Sequence, residues 1–137
     1  MFRFLLEVLM TQVAAGIIFQ NGSILVTRRG PGEKHAGCWE FPGGKLEASE
    51  TFQQCIEREI LEELGIEVVA DEILATSTYD YFNGSVELTA ILCIAKNMDI
   101  KLTVHDRYRF VAPKLLSGVD LLPADIPIAI KLGEFYG

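Results

Sequence analysis

The segment GKLEASETFQQCIEREILEELGI, residues 44–66, decides the reading of this chain. Thr51 followed by Gln54 has the form of a helix capping box, and Gly65 suits the left-handed residue that ends a helix. The spacing predicts a helix from about Phe52 to Leu64. At roughly 100° per residue, with Glu59 set at zero, Glu62 falls at about −60° and Glu63 at about +40°. Ile56, Ile60, Leu64 and Leu61 fill roughly 60° to 200° and form the predicted buried stripe. Three carboxylates thus share one narrow arc beside the core-facing side.

Glutamates three and four residues apart repel, and each such pair destabilises an isolated helix by about 0.2–0.5 kcal/mol. A bound cation is the simplest compensation. Hard oxygen ligands at this density suit Mg²⁺ or Mn²⁺. The alternative is a solvated acidic face. The register of Gly44, Glu50, Arg58 and Gly65 with the three carboxylates favours the cation.

That register is the spacing of the Nudix box, G-x5-E-x7-R-E-U-x-E-E-x-G-U with U aliphatic: Gly44, Glu50, Arg58, Glu59, Ile60, Glu62, Glu63, Gly65 and Ile66. The chain resembles the Nudix hydrolases, a family that cleaves diphosphates linked to another moiety using divalent cations. The resemblance implies Mg²⁺ as cofactor, with Mn²⁺ as a substitute. Its ligands are then Glu59, Glu62 and Glu63, joined by a backbone carbonyl at Gly43. A Gly-Gly pair lets the backbone pass close to metal and phosphate without a Cβ in the way. Glu50 and Arg58 resemble supporting members, since an arginine fork can hold a carboxylate bidentately and aim its neighbours. The implied reaction is attack by an activated water on phosphorus, with Glu59 or Glu62 taking the proton. Asp106, at the start of a late strand, is a candidate ligand or base by the same resemblance, or else an aspartate that caps its own backbone.

Inside the family, WEFPGGK at residues 39–45 points to MutT-like nucleoside triphosphate pyrophosphohydrolases, as do VAAGII at Val13, TRR at Thr27 and LPADIP at Leu122. Arg29 matches the position where such proteins set an arginine against phosphate; the other reading is a solvated strand end. Lys45, beside the glycine pair with Gly44, is a second candidate phosphate contact. Asp125 stands where the MutT prototype reads 8-oxoguanine with asparagine, and the CTP pyrophosphohydrolase-like branch shares the aspartate. An ionised carboxylate only accepts, which suits the exocyclic amine of cytosine, whereas a protonated or tautomer-selecting aspartate would read oxidised purines. Alternatively Asp125 caps the terminal helix, with Pro127 in its first turn. Phe41 and Tyr79 are either stacking surfaces for a base or core residues. The resemblance implies conversion of an NTP or dNTP into monophosphate and pyrophosphate, to clear cytidine or oxidised or methylated nucleotides from the pool. Rival readings are hydrolysis of ADP-ribose or nucleotide sugars, and a nucleotide-sensing module without catalysis. Such a module would be expected to lose box glutamates, all of which are retained here.

With 137 residues, half of them hydrophobic and 23% charged, the chain is expected to form one domain with a real core. Residues 11–137 would make the Nudix domain, and residues 1–10 an N-terminal extension of uncertain role. The net charge of −7 argues against a nucleic-acid polymer as partner and makes a cation close to obligatory for a phosphate substrate. Cys38, Cys55 and Cys93 have neither disulfide nor zinc spacing, which suits a reducing cytoplasm, and Cys55 reads as a buried small hydrophobe. No stretch has transmembrane length. A monomer or a homodimer is expected, with a small nucleotide as partner.

Strands are expected over Val13–Phe19 and Ile24–Arg28 around a turn at Asn21-Gly22, and over Trp39–Phe41. Ile66–Leu74 carries an acidic interruption at Asp71-Glu72. Ser77–Phe82 and Val86–Ala95 read as a hairpin around Asn83-Gly84, with shorter strands at Ile100–Val104 and Tyr108–Val111. Pro113–Ser117 suggests a helical turn. Pro127–Tyr136 suggests a terminal helix with Ile128, Ile130, Leu132 and Phe135 available for packing. These elements fit an α/β chain with the family's α/β/α sandwich around a mixed sheet.

Overall fold

The continuous apolar run VAAGIIF has no polar alternation because it is covered on both sides. In the computed structural model, which describes residues 10–82 and 84–137, the run lies in β1 (Met10–Gln20), with Ala14 and Ile18 packed on one face and Ala15 and Ile17 on the other. Residues 1–9 of the extension expected over residues 1–10, and Asn83 of the expected hairpin turn, lie outside the described residues, while Met10 opens β1. Asn21 and Gly22 both have positive φ (52° and 81°) and turn the chain into β2 (Ser23–Arg29), which runs antiparallel to β1. Short strands β3 (Trp39–Glu40) and β4 (Gly43–Lys45) pair with β2 and β1 respectively.

Helix α1 (Phe52–Leu64) has the expected limits. Thr51 accepts from the Gln54 N–H while the Gln54 side chain accepts from the Thr51 N–H, and Gly65 closes the helix at φ 67°. After it come β5 (Val68–Tyr81), β6 (Gly84–Ala95) and β7 (His105–Val111), then 3-10 turns at Pro113–Gly118 and Pro123–Asp125, and helix α2 (Ile126–Tyr136). The strand order is β3-β2-β1-β6-β5, with β7 on β2 and β4 on β1. Among the paired strands of the described residues only β1 and β6 run parallel, so the sheet is mixed; an isolated parallel bridge also joins Trp39 to Leu121. α1 packs on the face carrying Ala14, Ile18, Leu25 and Ile91, and α2 on the face carrying Ala15, Ile17, Ile24 and Val26. The expected α/β/α sandwich is therefore present.

Several local expectations need correction. Asp71-Glu72 does not break the strand: β5 runs through it, and register shifts on either side of Ile73 absorb the acidic pair. Ile100–Val104 forms no strand, because its polar groups finish α1 instead. The Lys101 N–H donates to the Leu64 carbonyl (2.8 Å) and the Thr103 hydroxyl to the Glu63 carbonyl (3.2 Å), while Ile100 and Leu102 pack beneath the helix. On α2, Ile128, Ala129 and Leu132 face the core; Ile130 projects from the opposite side and Phe135 is left exposed in the last turn.

The buried stripe of α1 is also rotated. Leu61 is half exposed, whereas Cys55, at about −40° on the same wheel, is fully buried with Ile56, Ile60 and Leu64. The arc of burial therefore includes the azimuths of Glu59 and Glu63. Glu59 is only 16% exposed against 60% for Glu62. Removing the Ile60 side chain should cost about 2–5 kcal/mol, as cavity-forming substitutions at fully buried isoleucines do. Urea denaturation of Ile60→Ala measures it, and a loss below about 1 kcal/mol would mean that α1 contributes little to the core.

Candidate active site

One guanidinium organises the acidic helix. Arg58 bonds Glu50 with both Nε (2.6 Å) and Nη2 (2.9 Å), and its Nη1 reaches Glu59 at 2.9 Å, Glu62 at 3.4 Å and Glu47 at 3.6 Å. Nη2 also donates to the Lys45 carbonyl (3.2 Å), which anchors the fork to β4. Hydrogen bonds from Arg58 and from the Glu47 N–H hold the Glu50 carboxyl down at about 2, and Glu50 in turn raises Arg58 above its already high value. The repulsion expected along this helix is thus met by an internal cation. Glu59 and Glu62 are each bonded by Arg58 through one oxygen only.

The glycine pair has two separate reasons. A Cβ on Gly43 would collide with the backbone of Ala14, where β4 lies against β1. A Cβ on Gly44 would occupy the space of the Glu59 carboxylate itself. Gly43 also donates its N–H to Glu63 Oε1 (3.2 Å), and the Cys55 thiol donates to the carbonyls of Gly44 and Lys45 (3.7 and 3.4 Å). Burial pushes that thiol up to about 11, which suits an inert packed cysteine. Burial, aided by the charges of Glu40 and Glu59, pushes Glu63 up to about 8.

Beside this edge opens a cleft of about 260 Å³. Arg29, Glu40, Gly43, Gly44 and Lys45 line it together with Phe41, Tyr81, Leu88 and Asp125. Asp125 is 5% exposed and makes no cap bond to α2; its Oδ2 accepts from the Phe41 N–H at 3.3 Å. The turn that carries it is fixed by the Ser77 hydroxyl donating to the Ala124 carbonyl (2.7 Å) and by the Leu122 N–H donating to the Trp39 carbonyl (2.9 Å). Burial first, then the charge of Glu40, raises the Asp125 carboxyl well above its ordinary range. The shift is toward the protonated carboxyl, the second of the two forms in which the sequence allows Asp125 to read a base.

Other expected contacts sit differently. Asp106 is not with the box glutamates: Arg28 takes both its oxygens, at 2.8 and 2.7 Å, and lowers its carboxyl. Arg29 lines the cleft, but its Nη1 is 3.1 Å from both oxygens of Glu40 and its Nε donates to the Lys34 carbonyl. Tyr79 does not line the cleft; it packs edge-on against Tyr81 (ring centroids 4.6 Å apart), and Tyr81 forms the wall. Phe41 is both a core residue and a cleft residue. Glu40, His105 and Tyr81 had been given no role. Glu40 was visible in the WEF triplet, where strand alternation turns it away from Trp39 and Phe41.

Comparison with known proteins agrees with this geometry. The NUDIX domain family matches residues 10–124. The CTP pyrophosphohydrolase of Escherichia coli is 34% identical over 119 residues, covering 87% of this chain and 88% of its own length. The 8-oxo-dGTP diphosphatase of Proteus vulgaris is 38% identical over 81 residues, 58% of this chain and 72% of its own. The solution structure of the E. coli ORF135 protein superposes with a TM-score of 0.80 at 31% identity, over 92% of this chain and 90% of that one. The chain belongs to the Nudix family and is a Nudix hydrolase.

Nudix hydrolases generally need a divalent metal, and the donors here fit one. Glu59, Glu62 and Glu63 carry hard oxygen donors on one helix edge, and the raised Glu63 marks a desolvated carboxylate that a cation would stabilise. Among the described residues no three carboxylates already converge to hold an ion, since Arg58 occupies part of Glu59 and Glu62. No helix of the described residues is long and apolar enough to cross a membrane.

The depressed Glu50 carboxyl has a pH consequence. Its folded value lies near 2 against an ordinary 4.5, so its stabilisation is complete above about pH 4.5 and is lost as pH falls through about 2. Urea midpoints of the metal-free protein should fall across that window more steeply for wild type than for Glu50→Gln. Parallel curves would remove Glu50 from the acid response.

Proposed function

We propose that this chain is a Mg²⁺-dependent pyrophosphohydrolase of nucleoside triphosphates, which converts an NTP or dNTP into the monophosphate and pyrophosphate. Its substrates are cytidine or oxidised or methylated nucleotides, which it clears from the pool of a reducing cytoplasm. The observation that supports this most is the continuity of one cleft, from Asp125 on its floor to the Gly43–Gly44 strand beside the acidic helix edge. The named activities of the E. coli and P. vulgaris relatives support the same substrate class.

Glu59, Glu62 and Glu63, with the Gly43 carbonyl, would hold the cation, which when bound supplies neutralisation of phosphate oxygens and acidification of water. Glu59 or Glu62 takes the proton of the water that attacks phosphorus, and the bond to the leaving pyrophosphate breaks. Arg58 keeps both carboxylates aimed, because each is bonded through one oxygen. Lys45 at the cleft mouth meets the polyphosphate, and Phe41 and Tyr81 flank the base. Arg29 reaches phosphate only by sharing its guanidinium with Glu40.

A neutral Asp125 both donates and accepts. That pattern matches an acceptor next to an amine, as on the pairing edge of cytosine. It also matches a purine whose N7 carries a proton, as in 8-oxoguanine, but not the paired N7 and O6 acceptors of guanine. The test is pyrophosphate release with Mg²⁺ from CTP, dCTP, 5-methyl-dCTP, dGTP, 8-oxo-dGTP and ADP-ribose. Turnover of cytidine nucleotides or 8-oxo-dGTP above dGTP is expected, whereas turnover of ADP-ribose alone would overturn the reading. Glu62→Gln should lower kcat at least about a hundredfold, in the range of lost general-base or metal-ligand function.

Asp125→Asn keeps one donor and one acceptor, so it should retain turnover. Wild type should lose turnover as pH rises through the elevated Asp125 value, and the asparagine variant should not. For stability the sign is opposite to that of Glu50. A raised carboxyl penalises the fold as pH rises above the unfolded value of 3.8, so Asp125→Asn should be more stable than wild type at neutral pH.

A further inference from the structure

His105 opens β7 opposite Arg29, just past a shift in the β2–β7 register between Arg28 and Arg29. The shift leaves Asp106 without a partner residue in the ladder and divides two neighbours of β7 between two arginines. Asp106 goes to Arg28, while His105 turns to the cleft side and meets Glu40, which holds Arg29. The His105 side chain is 1% exposed, and its Nε2 lies 2.9 Å from Glu40 Oε2.

A carboxylate can only accept, so the proton of this bond sits on Nε2 and Nδ1 is left as an acceptor. Nδ1 is buried without a partner, the single such side-chain atom among the described residues. An apolar side chain would fill the same space without an unpaired nitrogen. Packing alone thus gives no reason for a histidine here; the bond to Glu40 does.

We infer that His105 is a positioning residue: by donating to Glu40 Oε2 from behind, it fixes the Glu40–Arg29 pair on the cleft wall and presents the carboxylate as an acceptor for an N–H group of the bound nucleobase. The inference rests on the nucleotide reading of the cleft. Glu40 has capacity for it, since a carboxylate offers about four acceptor sites. Three are engaged, two by Arg29 and one by His105. Without His105, Glu40 would be free to swing with the Arg29 side chain, and the cleft would lose a fixed acceptor without losing the hydrolytic edge.

Steady-state kinetics of wild type, His105→Ala, His105→Gln, Glu40→Gln and the double variant His105→Ala/Glu40→Gln, on the nucleotide the wild type turns over best, test this. His105→Ala should raise KM about tenfold with kcat within about twofold, the signature of lost binding rather than lost chemistry. His105→Gln, whose amide can donate in place of Nε2–H, should recover most of the loss. The double variant should be no worse than Glu40→Gln, because His105 acts through that carboxylate. An unchanged KM in His105→Ala, a glutamine variant as impaired as alanine, or additive losses would each overturn the inference.

Ring ¹H–¹⁵N spectra of His105 supply a readout independent of turnover. They should show a proton on Nε2, with its signal displaced by Glu40→Gln. The other tautomer, or a signal indifferent to Glu40→Gln, overturns the inference even if His105→Ala fails to fold. Wild type that turned over no triphosphate would instead remove the nucleotide reading, and the ring signals would still judge the contact.

Discussion

Four glutamates meet one arginine on the first helix, and much of the site follows from that. Glu47, Glu50, Glu59 and Glu62 all lie within 3.6 Å of the Arg58 guanidinium. Without it, the acidic face would be a set of repelling charges at helical spacing; with it, the side chains hold fixed directions before any ligand arrives. The planar fork suits the task better than an ammonium would, because it bonds Glu50 with two nitrogens and still reaches Glu59 and Glu62 with the third. The bidentate pair with Glu50 is the anchor, and the two glutamates of the hydrolytic edge are aimed from it.

The rotation of α1 sets the electrostatics of that edge. Because Cys55 rather than Leu61 completes the buried stripe, Glu59 and Glu63 are turned toward β4 and the sheet, while Glu62 stays in water. One helix therefore offers carboxylates in graded environments: Glu62 exposed, Glu59 held by Arg58, and Glu63 desolvated and raised. Glu40 extends the same field into the cleft, where it contributes to the raised carboxyls of both Glu63 and Asp125. The acidic helix edge and the cleft are thus electrostatically linked through Glu40.

Much of this was legible in the sequence where the signal is local. The capping box, Gly65, the turn at Asn21-Gly22 and the doubly buried β1 depend on residues within a few positions of each other, and each was readable. The box likewise exposed Arg58 with its glutamates, since helical spacing brings them together without help from the rest of the fold. What escaped was set at long range. Ile100–Val104 has strand-like composition, but its Lys101 N–H and Thr103 hydroxyl are taken up by carbonyls at the end of α1. Asp106 bonds Arg28 while its neighbour His105 bonds Glu40, because a register shift in the β2–β7 ladder separates the two. Tyr81 outranks Tyr79 for the same kind of reason, and no local pattern records it.

The parallel pairing of β1 with β6 has a consequence for how the protein is made. β1 emerges early but meets its parallel neighbour only after α1 and β5 have been synthesised, with Ala14 finally opposite Thr89. The cleft floor closes across a still longer span, from Phe41 to Asp125. Contacts so distant along the chain form slowly, because loop closure must precede their reward. α1 and its arginine–glutamate cluster can assemble locally, whereas the cleft exists only once the first and last thirds of the chain have met. A partly folded molecule therefore carries the acidic helix before the cleft exists, and the two meet only in the finished fold.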